Sequence, residues 1–318
     1  MFRIVFAADL HGSTIVFNKL LNLTTQIKVD YVIINGDLTG KYLMPIIERD
    51  DKYYIVDNNN FVEVGNEELE KLKRRWENQG MYYKIMTEDE YYKFKENPSL
   101  VESEVEKLAL MRLDEWLSKA LEKMKQLNSG VKLLVNAGND DSYSVDNVLR
   151  KYDGDTIIFS EDKVVTLKDG NEMITAGYAN KTPWNCPRDI TEEELYQILE
   201  SKIAKINDMK KAIFNIHVPP YGTIIDKAPK LDKGAERAVT SLGHVIMESV
   251  GSKSVRQLIE KYQPMLSLHG HIHEGKGACK IGRTICINPG SEYMNGILNY
   301  ALILIDRDKV KDYIITSG

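Results

Sequence analysis

FRIVFAADLH, residues 2–11, decides the reading of this chain. The run from Phe2 to Ala8 is apolar and partly β-branched, which predicts a strand that Asp9 ends. Ser13 is placed to cap a helix. Phe17, Leu20, Leu21 and Ile27 then recur at roughly helical spacing. Tyr31 to Asn35 is a second apolar run, closed by Gly36-Asp37. A strand, a crossover helix and a second strand predict a βαβ unit with a buried parallel pair.

The strand pattern resumes after residue 129. Val131 to Asn136 leads into Gly138-Asn139-Asp140, Ala212 to Ile216 into His217, and Met265 to Leu268 into His269-Gly270-His271-Ile272-His273. Thr191 and Glu194 have the spacing of a capping box. Residues 41–128 break the rhythm. They begin with a predicted hairpin, Tyr53–Val56 and Phe61–Val64 around Asp57-Asn58-Asn59-Asn60. They end in a helix from Glu102 to Leu127, with Val105, Ala109, Leu113, Trp116, Ala120, Met124 and Leu127 on one stripe. The stretch reads as a mainly helical insertion within one domain spanning 1–318, serving as a lid or as a contact between copies in a homo-oligomer.

Composition excludes several classes. Among 318 residues, 42 Lys and Arg face 47 Asp and Glu, a formal charge of −5 that argues against coating nucleic acid. Three cysteines rule out a disulfide framework and point to a reducing, cytoplasmic setting. No apolar run nears the roughly 20 residues that cross a bilayer, and the N-terminus lacks the layout of a signal peptide.

Five polar clusters share one position, just beyond an apolar strand: Asp9-Leu10-His11, Gly36-Asp37, Gly138-Asn139, His217 and Gly270-His271-Ile272-His273. In α/β sheets that is where ligands bind. Bringing the ends together gathers two carboxylates, one amide oxygen and four imidazoles. With one carboxylate shared, this set can hold two first-row divalent ions.

These clusters resemble the motifs of the calcineurin-like metallophosphoesterases, and Asn288-Pro289-Gly290-Ser291 is similar to a turn of smaller members. The resemblance covers residues 1–40 and 129 onward. It implies a four-layer αββα sandwich and a dinuclear phosphoesterase. One ion would sit on Asp9, His11, Asp37 and His273, the other on Asp37, Asn139, His217 and His271, with a metal-bridging hydroxide as nucleophile. Mn, Fe, Zn and Ni are not distinguished. Asn139 and Asp140 are the expected catalytic positions, but many members carry His where this chain has Asp140. A carboxylate supplies no cationic donor there, which favours acidic leaving groups and phosphodiesters over monoesters. Asn180 and Tyr221 are expected to touch a small phosphorylated substrate. His269 is expected to be a packing residue or a support of the ligands. A nuclease and a non-catalytic protein-binding scaffold are the alternatives.

Overall fold

The computed structural model describes all residues except 59, 128, 129, 233, 235, 236 and 242; the centre of the predicted hairpin loop, residue 59, therefore lies outside the described residues. The opening βαβ unit forms as expected. Phe2–Ala8 pairs in parallel with Tyr31–Asn35 across the helix Thr14–Gln26. Lys132–Asn136 and Ile157–Phe159 extend the parallel run, while Asn299–Asp306 and Lys309–Ser317 close the other edge antiparallel. A second six-stranded sheet has the parallel centre Glu172–Ala176, Ile213–Ile216, Leu266–Leu268 and Thr284–Asn288.

Side-chain alternation sets the layers. In the first strand Phe2, Ile4 and Phe6 point between the sheets, where they meet Met173, Ile213, Leu266 and Ile287. Val5 and Ala7 point the other way, into a core with Val16, Phe17 and Leu20 of the first helix. The opposite face of the second sheet is covered by Glu192–Ile203 and Lys253–Tyr262. Helix, sheet, sheet and helix give the four-layer αββα sandwich, and both faces of each sheet are buried, as near-continuous apolar strands require. Among the described residues no helix is long and apolar enough to cross a membrane.

The expected hairpin forms as Lys52–Asp57 and Asn60–Val64. Leu43–Arg49 and Tyr82–Met86 join it, so the insertion carries a four-stranded sheet as well as its helices. Its own small core is Ile46, Val64, Leu69 and Trp76. The long helix runs Pro98–Leu127, starting earlier than its apolar stripe. Its second half belongs to the main core: Leu113, Trp116, Leu117, Ala120 and Met124 pack on the first sheet, with Trp116 stacked on Phe17 at 4.4 Å. Leu127, at the end of the stripe, is exposed instead.

The insertion also grips the first strand-end loop. Ser13 precedes the first helix as expected, but its hydroxyl makes no cap; it donates to the Asn78 carbonyl at 2.6 Å. Arg112 donates to the Gly12 carbonyl at 3.0 Å and lies 4.3 Å over the Tyr82 ring. Gly80 has φ +78, and a Cβ there would lie 1.9 Å from the His11 carbonyl oxygen. Gly80→Ala is therefore expected to cost about 1–3 kcal/mol in denaturant unfolding, through overpacking and a left-handed backbone. A variant as stable as the parent would show that the loop shifts freely.

Candidate metal centre

The strand ends of the first sheet deliver Asp9, His11, Asp37 and Asn139; those of the second deliver His217, His271 and His273. Two separate groups result: Asp9, His11 and His273 place ligand atoms within 4.8 Å of one another, as do Asp37, His217 and His271, and a third set, His11, Asp37 and Asp140, overlaps both. His11 Nε2 and His273 Nε2 lie 3.0 Å apart. Asp37 stands between the groups, with Oδ1 3.3 Å from His217 Nε2 and Oδ2 3.6 Å from His11 Nε2.

The backbone is forced to make this cluster. Asp9, His11, Asp37 and His271 all have positive φ, +57, +42, +46 and +65. Such conformations are uncommon outside glycine and cost on the order of 1 kcal/mol each. Crossed hydrogen bonds hold them: Asp9 N donates to the Gly36 carbonyl, His11 N to the Asp37 carbonyl, and His271 N to Asp9 Oδ1 at 2.9 Å. Gly138 has a separate reason to be glycine, since a Cβ there would lie 2.1 Å from Asp37 Oδ1.

The electrostatics suit cations. Burial pushes the pKa values of His11 and His271 down to about 3, so both imidazoles are neutral and keep a lone pair. Burial also disfavours a charged His217, but Asp37 and Asp9 outweigh it and raise its pKa to about 9. The same pairing with His217 and His11 overcomes burial at Asp37 and holds it well below the ordinary carboxylate range. Burial raises Asp9 to about 6, against the pull of His217 and His273. The buried His217 Nε2 and Asn139 Oδ1 have no hydrogen-bond partner. Orphaned polar atoms beside two carboxylates are what a divalent ion satisfies, so these residues fit the metals that the sequence implies.

Supporting groups fix the ligands. His217 Nδ1 meets the Asn35 carbonyl at 3.1 Å. His269 is not among the clustered ligands. It is fully buried, and its Nδ1 lies 2.9 and 3.0 Å from the Ile216 and Val218 carbonyls that flank His217. Asn288 Nδ2 donates to the Gly270 and Ile272 carbonyls, and Ser291 Oγ to the Asp9 carbonyl at 2.7 Å. The Asn288-Pro289-Gly290-Ser291 turn thus braces two ligand loops. Asp141 accepts from Gly138 N, Leu38 N and Thr39 N, tying the second loop to the third.

Asp189 and Tyr293 carried no motif signal. Asp189 accepts from Asn139 Nδ2 at 2.8 Å, which leaves Asn139 Oδ1 for a metal; its other oxygen holds Thr182 N and Cys186 N. Tyr293 packs its ring 4.7 Å from that of His11 and 5.9 Å from that of His273.

A cavity of about 1,020 Å³ opens over the cluster, and its lining includes His11, Asp37, Asn139, Asp140, His271 and His273. Asn180 lines it, as does Trp184, which is 63% exposed. Tyr221 does not line it; its ring lies 5.5 Å from the Lys253 ammonium. From the insertion, Lys41, Tyr42 and Gly80 reach the cavity, beside Gly40. Among the insertion's other aromatics, Phe61 packs against Tyr91 and Tyr92.

The fold is shared with known proteins. A crystal structure 17% identical in sequence superimposes with a TM-score of 0.56, covering 97% of each chain. A protein of Thermus thermophilus, 12% identical, gives 0.54 over 100% of this chain and 98% of its own. An uncharacterized protein of Methanocaldococcus jannaschii is 32% identical over 171 residues, 53% of this chain and 68% of that protein. The family model for calcineurin-like phosphoesterases matches residues 2–275, which include all seven ligand positions, and the chain belongs to that family.

Proposed function

We propose that this protein is a dinuclear, divalent-metal-dependent phosphoesterase that hydrolyses a phosphodiester or a small phosphorylated metabolite. The observation that carries the reading is the pair of ligand groups at the floor of one cavity, joined through Asp37. Asp9, His11, Asp37 and His273 would hold one ion, and Asp37, Asn139, His217 and His271 the other. Two such ions supply Lewis-acid stabilisation of a phosphoryl transition state and acidify solvent. The chain's own part is to orient the ligands: Asn35 turns His217, Asp189 turns Asn139, and His271 N fixes Asp9. Lys41, Tyr42 and Gly80 bring the insertion to the rim, which favours a lid over a remote contact between copies. The three cysteines are free, which supports a cytoplasmic setting.

All seven ligand positions are filled by residues able to coordinate, which weighs against a non-catalytic scaffold. A nuclease would need a basic tract that the weakly acidic sequence lacks.

Chelated protein should be inactive, and added Mn, Fe, Zn or Ni should restore turnover in a metal-swapped screen. Bis-p-nitrophenyl phosphate should be cleaved with a higher kcat/KM than p-nitrophenyl phosphate. A large monoester preference would reject the diesterase assignment, and no turnover with any metal would reject the enzyme.

A further inference from the structure

Asp140 stands where many relatives would carry an imidazole, and the structure gives it a cationic partner. Lys41 Nζ lies 2.5 Å from Asp140 Oδ2. Asp140 is held in turn by its own N–H, which donates to Asp37 Oδ1 at 3.0 Å, and its Oδ2 is 3.8 Å from His11 Nδ1. The pair therefore adjoins both ligand groups. Its two members differ in exposure: the Asp140 side chain is 10% exposed and that of Lys41 51%. The carboxylate is fixed and the ammonium is at the cavity, on a flexible four-carbon stem. Asp140 occupies one of its three donors, which leaves two for a ligand.

We propose that Lys41 is the residue that contacts the substrate's phosphoryl oxygens, and that Asp140 is the positioning residue that aims it. This rests on the phosphoesterase reading and adds a specificity-determining group from the insertion. It also gives the carboxylate at position 140 a physical role. Asp140 cancels the ammonium while the cavity holds water, and it keeps the side chain from turning out to solvent. An arriving phosphoryl group offers charge-assisted hydrogen bonds to the same ammonium. Lys41 lies four residues beyond Asp37, where the chain leaves the first sheet, so the start of the insertion brings a cation to the rim.

The test is orthophosphate binding by calorimetry on the metal-loaded protein, beside steady-state kinetics on bis-p-nitrophenyl phosphate. Lys41→Met should weaken orthophosphate binding about 10- to 100-fold and raise KM for the diester, with metal affinity unchanged. Lys41→Arg should recover most of the orthophosphate affinity, because guanidinium also binds phosphate oxygens. Asp140→Asn keeps an oxygen acceptor for the ammonium and should cost less than Lys41→Met. Orthophosphate affinity within twofold of the parent in Lys41→Met would reduce the pair to a structural tether and overturn the proposal. A loss in Asp140→Asn as large as that in Lys41→Met would overturn it too. The phosphoesterase reading fails separately, by absence of turnover in the metal-loaded parent, since the calorimetry needs no turnover.

Discussion

Asp37→Asn is expected to lower metal-dependent phosphoester hydrolysis by on the order of 1,000-fold or more, the scale seen when one electrostatic element of a transition-state site is removed. Its carboxylate reaches both halves of the cluster. It lies 3.3 Å from His217, 3.6 Å from His11 and accepts from Asp140 N. Asparagine preserves the volume and one oxygen but removes the charge that two dications would share. In the metal-free protein the same change withdraws the largest influence raising His217 above its ordinary pKa. Metal titration by calorimetry and the thermal shift on adding Mn should both show the loss. Retention of activity within tenfold of the parent, at equal metal content, would remove Asp37 from the bridging position.

Arg188→Met is expected to destabilise the fold by about 3–5 kcal/mol, the range for removing one partner of a buried ion pair. Arg188 is 1% exposed. Its guanidinium donates to both oxygens of Asp146, to the Asp141 carbonyl at 3.1 Å and to the Ser142 carbonyl at 3.0 Å. Its backbone N–H donates to the Asn139 carbonyl. One side chain therefore fastens the loop that presents Asn139 and Asp140. Denaturant unfolding should report the loss, with catalysis falling below what the folded fraction explains. The double variant Arg188→Met with Asp146→Leu should regain part of the stability, because the stranded carboxylate is gone. A single variant within about 1 kcal/mol of the parent would show that water replaces the guanidinium.

The two predictions differ in how they were reachable. Asp37 was legible because it ends an apolar strand and follows a glycine, a local pattern that needs no partner. Arg188 was not, because its partners lie 42 to 49 residues away and nothing near it in the chain marks it as buried. Asp189 escaped for the same reason: its role appears only when Asn139 and the 182–186 loop converge on it. The long helix shows the limit of periodicity. Its stripe is visible from Val105 onward, yet the stripe does not say that Trp116 stacks on Phe17 while Leu127 stays in solvent. The sheet of the insertion was half seen, because Asp57 to Asn60 marks a hairpin locally whereas Leu43–Arg49 and Tyr82–Met86 pair across a helix.

The sequence by itself determined the opening βαβ unit and the seven candidate ligands, and the resemblance of its motifs implied the sandwich. Apolar strands ending in polar residues are a one-dimensional signal, and both sheets place those ends at one edge. Only the tertiary structure decided which carboxylate turns Asn139, which carbonyls His269 braces beside His217, and that Lys41 pairs with Asp140. Each of these depends on a distance between segments remote in the chain. Such distances are set by how the two sheets and the insertion pack, and local residue pattern does not encode them.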